Sequence, residues 1–238
     1  MAITTTKSAY WTGVRDGAPF ILVAAPFGTL FGVLATEAGL NLLEVMVFSF
    51  TVFAGAAQFT ALQLMQENTP TVIVLVSALA VNLRVAMYSA SLTPYLGAAP
   101  LWQRALAAYF TVDQSYACAM VRFEAEPRLN LAQRMAYFFG TVTPVAPSWY
   151  LATLAGAVLG TGIPDAWALD FALPIAFIAM VGPMLRTGAH VVAALVAVAA
   201  AILAAPLPYN LGLIVAGLAG MIAGAQAERV LQRRGLWS

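Results

Sequence analysis

Charge is what this chain has least of: 9% of its 238 residues are Asp, Glu, Lys or Arg, against 62% hydrophobic. A water-soluble domain carries about a quarter charged residues, so the scarcity excludes a water-covered globule and makes lipid the expected solvent. The net charge of +1 argues against an electrostatic nucleic-acid binder, which needs a basic surface. One cysteine, Cys118, rules out an internal disulfide and a cysteine metal cage. His190 is the single histidine, so acid–base hydrolysis and the HExxH, nucleotide-loop and Ser-His-Asp motifs have few parts to draw on. The spacing therefore points to no enzyme, metal or cofactor. The leading MAITTTKSAYWTGVRDG has no short apolar core before a small-residue cleavage site, and the first span is expected to serve as the targeting signal.

Long apolar runs fill the remainder. A membrane-crossing helix needs ~20 mostly apolar residues. By that rule eight candidate spans run near 17–36, 43–65, 71–92, 104–121, 135–160, 167–185, 189–205 and 209–227. The expectation is an all-α membrane protein, one polytopic helical bundle of about eight segments over residues 1–238. With the N-terminus inside, the cytoplasmic side collects Lys7, Arg15, Arg122, Arg128, Arg134, Arg186, Arg229, Arg233 and Arg234, leaving Arg104 alone opposite. That asymmetry fits the positive-inside rule with both termini cytoplasmic.

The first, fifth and sixth spans read as poor continuous helices. Pro26 and Gly28 stand in the first, Pro144 and Pro147 in the fifth. Proline removes a backbone donor and crowds the preceding turn, so these positions are candidate broken-helix backbone. Close packing of small residues is the competing explanation. The corresponding placement of these residues suggests a 4+4 repeat with halves 13–122 and 131–230. The repeat is parallel by simple parity, or inverted if one span in each half is a re-entrant pair. Transporters of both kinds place their substrate site where broken helices meet near mid-membrane.

Two charges lie inside apolar runs, Arg84 in VNLRVAMYS and Asp113 in TVDQSYA. If spans three and four are antiparallel neighbours, Arg84 lies about 12 Å and Asp113 about 14 Å below the same outer surface. The two are expected to face each other or a shared wet cavity, since an unpaired charge in hydrocarbon costs at least ~2.5–3.5 kcal/mol. Snorkelling to the interface is the alternative for Arg84. Gly55 and Gln58 in FAGAAQF, Asn82, Gln114 and Ser115 join them as candidate pathway groups, or act as interhelical glue. His190 could relay protons or be an ordinary interfacial residue.

The blocks PFGTLFGVLATEAGL, FAGAAQFTAL, VNLRVAMYSASLTPYL and TVDQSYA, in that order, resemble the AzlC family of branched-chain amino acid permeases, from about Gly13 to Arg229. The resemblance implies an inner-membrane exporter of leucine, isoleucine, valine or other hydrophobic amino acids, working with a small hydrophobic AzlD-like subunit. It maps its blocks onto Gly55, Gln58, Asn82, Arg84 and Asp113. Family members often carry Asp-Glu where this chain has Asp113-Gln114, so any proton coupling here would fall to Asp113 or another group. Secondary-active export, most simply against protons, is the expectation; a passive channel or a scaffold subunit of a membrane complex is the alternative.

Overall fold

The computed structural model describes residues 5–160, 185, 187–207 and 211–233, and every regular element among them is helical. The chain forms two compact units, Met1–Gln58 with Val81–Trp167, and Phe59–Ala80 with Ala168–Ser238. Among the described residues four helical stretches are long and apolar enough to cross a membrane: Thr6–Glu37, Thr71–Leu96, Leu131–Gly160 and Ile214–Arg233. Leu22 is 82% and Leu203 81% exposed, a surface stable against acyl chains and unfavourable in water.

In the first unit α1 (Thr6–Gly17), a 3₁₀ turn (Ala18–Phe20) and α2 (Ile21–Glu37) form one rod. A reciprocal cap starts it: Ser8 N donates to Thr5 Oγ1 (3.1 Å) and Thr5 N to Ser8 Oγ (3.0 Å), satisfying two otherwise unpaired donors. The Leu131–Gly160 helix, α8, opens with the same device between Asn130 and Gln133. The two rods run side by side in the same direction, with Gly13 and Gly17 level with Tyr137–Thr141, and Gly28 and Gly32 level with Trp149–Ala157. A Cβ on Gly17 would stand 2.9 Å from Thr141 Cα, and one on Gly32 2.6 Å from Ala157 N. Both rods thus start at one end of the unit, called here the Thr6 end, and finish at the Glu37 end.

This corrects the broken-helix expectation. α2 passes through Pro26 and Gly28, and α8 passes through Pro144 and Pro147, without interruption. Gly28 serves contact, its absent Cβ leaving room for Trp149 O at 2.9 Å. In lipid, where burial between helices gains little hydrophobic energy, close backbone approach is what binds helices.

The interruptions fall elsewhere. After a turn through Gly39 (φ +89°), α3 (Leu42–Thr51) runs back along α2, placing Phe48 on Phe31 (5.5 Å) and Phe50 on Tyr150 (4.2 Å). Residues 52–54 then break the second candidate span before α4 (Gly55–Gln66). The fourth candidate span divides likewise into α6 (Leu101–Tyr109) and α7 (Asp113–Ala125), following α5 (Thr71–Leu96). Trp102 and Leu106 share a cavity wall with Leu131, Met135 and Phe139, and the Tyr109 and Tyr150 hydroxyls lie 2.9 Å apart. Along α7 the order along α8 reverses. Ser115 lies by Thr141–Val145, and Phe123 contacts the Tyr137 ring at 6.1 Å. α6 therefore enters from the Thr6 end and α7 returns to it.

Span four is thus a re-entrant helical hairpin and not a crossing; nine residues of α6 cover only ~13 Å. Arg104, beside Leu96 and Gly97, joins the other basic residues of that end, contrary to the sequence expectation.

In the second unit α9 (Gly188–Ala204) and α10 (Leu211–Arg233) form an antiparallel pair. Gly212 faces Ala204, and Gly220 and Gly224 face Ala193. Thr187 caps α9 by accepting from His190 N (3.3 Å). The sixth candidate span, 167–185, lies outside the described residues apart from Leu185.

Candidate functional site

Local geometry explains why an apolar run breaks at Phe110–Val112. The Thr111 hydroxyl returns to Ala107 O (2.7 Å), closing α6. Ser115 Oγ accepts from Val112 N (3.0 Å) and donates to Phe110 O (2.9 Å), so one buried hydroxyl satisfies backbone groups on both sides of the gap. Phe53, from the other interruption, packs edge-on against Phe110 (5.6 Å) and near Tyr150 (5.4 Å). Tyr109 donates to Phe50 O. Irregular backbone at membrane depth is tolerated where protein supplies such partners. Gly55, opening α4, lies under the Trp149 indole, where a Cβ would meet Cη2 at 3.0 Å; Trp149 Nε1 donates to Ser49 Oγ (3.1 Å).

Asp113 is the first residue of α7 and meets Arg84 of α5, Nη1 to Oδ2 at 3.1 Å. Its other oxygen accepts from Tyr88 Oη at 2.8 Å, and the Tyr88 ring stacks on Tyr116 (4.2 Å, 10° between planes). The expected pairing is present, but by a different route. α5 and α7 are parallel (84 by 113, 88 by 116, 95 by 123), with α6 inserted between them in sequence. The side chains are 21% and 39% exposed, so the pair is partly reachable. Arg84 Nε is buried without a hydrogen-bond partner.

Of the other candidates, Ser115 is 2% exposed and serves the interruption. Gln58 is wholly buried, with neither side-chain Nε2 nor Oε1 hydrogen-bonded, and Asn82 Oδ1 is likewise unpartnered. Buried polar atoms are nearly always satisfied, and these three are exceptions. Gln114 is half-buried. Among the described residues no three His, Cys, Asp or Glu side chains are grouped for a metal ion.

Sequence reasoning missed Tyr88 and Tyr116, one turn beyond Arg84 and Asp113 on the same helix faces, a spacing that could have found them. It also missed a second polar cluster near the Thr6 end. Asp16 Oδ2 accepts from Arg122 Nη2 (2.8 Å) and Tyr137 Oη (2.7 Å); Arg122 also reaches Glu126 (2.7 Å) and lies over the Tyr137 ring (5.4 Å). This cluster ties α1, α7 and α8 where the hairpin returns. Asp16→Ala should leave Arg122 with one of its two carboxylate partners and cost ~1–2 kcal/mol, between exposed and buried pairs. A thermal melt in detergent should fall accordingly; no shift would mean the cluster is merely solvated.

A helical, multi-pass membrane protein with a polar cluster at the interruption of a re-entrant helix is of transporter-like build. The chain belongs to the AzlC family: the AzlC protein model matches residues 19–163, a range that includes both interruptions, Arg84 and Asp113. The chain is 26% identical over 177 residues to the inner membrane protein YgaZ of Escherichia coli (strain K12), covering 72% of this chain and 71% of that protein. It is 27% identical over 230 residues to an uncharacterized membrane protein of Archaeoglobus fulgidus, covering 94% of this chain and 98% of that one. No solved structure matches.

Proposed function

We propose that this protein is a secondary-active exporter of branched-chain or other hydrophobic amino acids across the bacterial inner membrane, coupled to protons and acting with a small AzlD-like membrane subunit. The observation that carries the reading is the Arg84–Asp113–Tyr88 cluster at the break between α6 and α7. Ionisable groups inside a membrane segment are costly, and substrate or proton pathways are where they are kept. The helix ends at the breaks before Gly55 and Asp113 support the reading, since transporters hold charged substrate groups at such interruptions. Asp113 carries the exchanging proton, and Arg84 is its ion-pair partner at 3.1 Å.

The corrected hairpin supports one orientation. Lys7, Arg104, Arg128 and Arg134 gather at the Thr6 end, with Glu37 and Glu44 at the other. The basic end, with the N-terminus, is then cytoplasmic. The test is efflux of a labelled amino acid panel from cells with and without this gene, plus and minus the small subunit. Saturable, trans-stimulated loss of leucine, isoleucine and valine is expected. Non-saturating flux would replace the carrier with a channel, and no gene-dependent flux under either condition would reject transport.

A further inference from the structure

We infer that Arg84 and Asp113 are themselves the recognition site for the two charged ends of a zwitterionic α-amino acid, the carboxylate on Arg84 and the ammonium on Asp113. The inference rests on the exporter reading and specifies how that site selects its substrate.

Three features carry it. First, the guanidinium is incompletely used. Nη1 holds Asp113 Oδ2 at 3.1 Å, while Nε is buried and lacks any hydrogen-bond partner. Nε and Nη2 form the side fork of a guanidinium, the geometry that grips a carboxylate through two parallel bonds. An unpaired donor is costly, and a ligand carboxylate entering the fork from Nη2, on the partly exposed guanidinium, supplies the missing partner. Second, the charges match. The pair is net neutral, as is a zwitterion, so inserting one beside the other adds no net charge to a low-dielectric site. A free amine or a free carboxylic acid would leave one charge unbalanced there. Third, the surroundings suit an amino acid. Tyr88 holds Asp113 Oδ1 at 2.8 Å and fixes that carboxylate, and the stacked Tyr88 and Tyr116 rings supply an apolar wall beside it. The partial exposure of both charged side chains leaves them within a ligand's reach.

The charged and titratable groups that face Asp113 are Arg84 and Tyr88 from α5, with Tyr116 of its own helix behind Tyr88. Arg84 is the cation and Asp113 the anion of the pair, so each ligand end has an oppositely charged partner.

That one-to-one assignment can be measured. The full-length protein is purified together with its small membrane subunit in lipid nanodiscs and titrated with leucine, with 3-methylbutylamine, which lacks the carboxylate, and with 4-methylpentanoate, which lacks the ammonium. The wild type should bind leucine about tenfold or more tightly than either analogue, as expected for one charge-assisted hydrogen-bonded contact. Arg84→Gln should lose the preference for leucine over the amine and keep that over the acid. Asp113→Asn should do the reverse. Arg84→Lys, which retains the cation, should keep the carboxylate preference in weakened form, and it supplies the test should Arg84→Gln fail to fold. If the wild type binds and exports leucine while both neutral variants keep its analogue ratios, the assignment is wrong and the exporter reading survives. If the wild type binds none of the three, both are wrong.

Discussion

Asp113→Asn should abolish gradient-driven amino acid export, lowering it at least about tenfold, while the protein still inserts in the membrane. The reason is local. Asparagine keeps the shape of the side chain but holds no exchangeable charge, so the proton is lost and the ion pair to Arg84 at 3.1 Å is reduced to a hydrogen bond on a neutral acceptor. A charge-assisted contact contributes roughly 1.5–3 kcal/mol, or about 10–100-fold in rate or affinity. Tyr88→Phe is the graded counterpart. It removes one hydrogen bond of 2.8 Å to Asp113 and should cost about three- to tenfold, since a neutral donor is worth ~0.5–1.5 kcal/mol. Efflux from proteoliposomes under an imposed pH gradient, with insertion measured in parallel, decides the matter. Wild-type flux from the Asn variant would remove Asp113 from the mechanism.

The second large effect is structural. Gly32→Ala should destabilise the fold more than a single methyl group ordinarily does, because the new Cβ would meet Thr153 O and Ala157 N, the latter at 2.6 Å. Both neighbours are backbone of α8, so no side chain can rotate aside and the two rods must separate. Overpacking of this kind costs ~1–3 kcal/mol, which for a chain this size lowers the melting temperature by about 5 °C. Gly217→Ala in α10 is the control, with nothing within 4 Å of its added Cβ, and should leave the melt unchanged. Equal melts for the two variants would show that the α2–α8 contact does not hold the unit together.

The Arg84–Asp113 pair was legible in sequence because charge is so scarce that few partners exist for either group. The route to it was not legible. Counting apolar residues cannot separate an 18-residue crossing from two short helices with a gap, because Phe110–Thr111–Val112 is as apolar as its flanks. Proline and glycine pointed to the wrong spans for a related reason. They permit a break, but they also permit close approach, and which one results depends on the neighbouring backbone. At Gly28 and Gly32 that neighbour is α8. At the true interruptions the agents are a hydroxyl, Ser115, and an aromatic contact, Phe53 with Phe110, neither distinctive in a hydrophobic chain.

What residue order alone determined was the solvent. With so little charge and apolar runs of ~20 residues, membrane-spanning helices are the expected outcome, since each pairs its own backbone groups in lipid, and any retained charge must find a partner there. Tertiary structure decided which helices cross, which one turns back, and therefore on which side Arg104 lies. Those depend on contacts between segments far apart in the chain, such as Tyr109 with Tyr150 and Arg122 with Asp16, and local hydropathy carries no record of them.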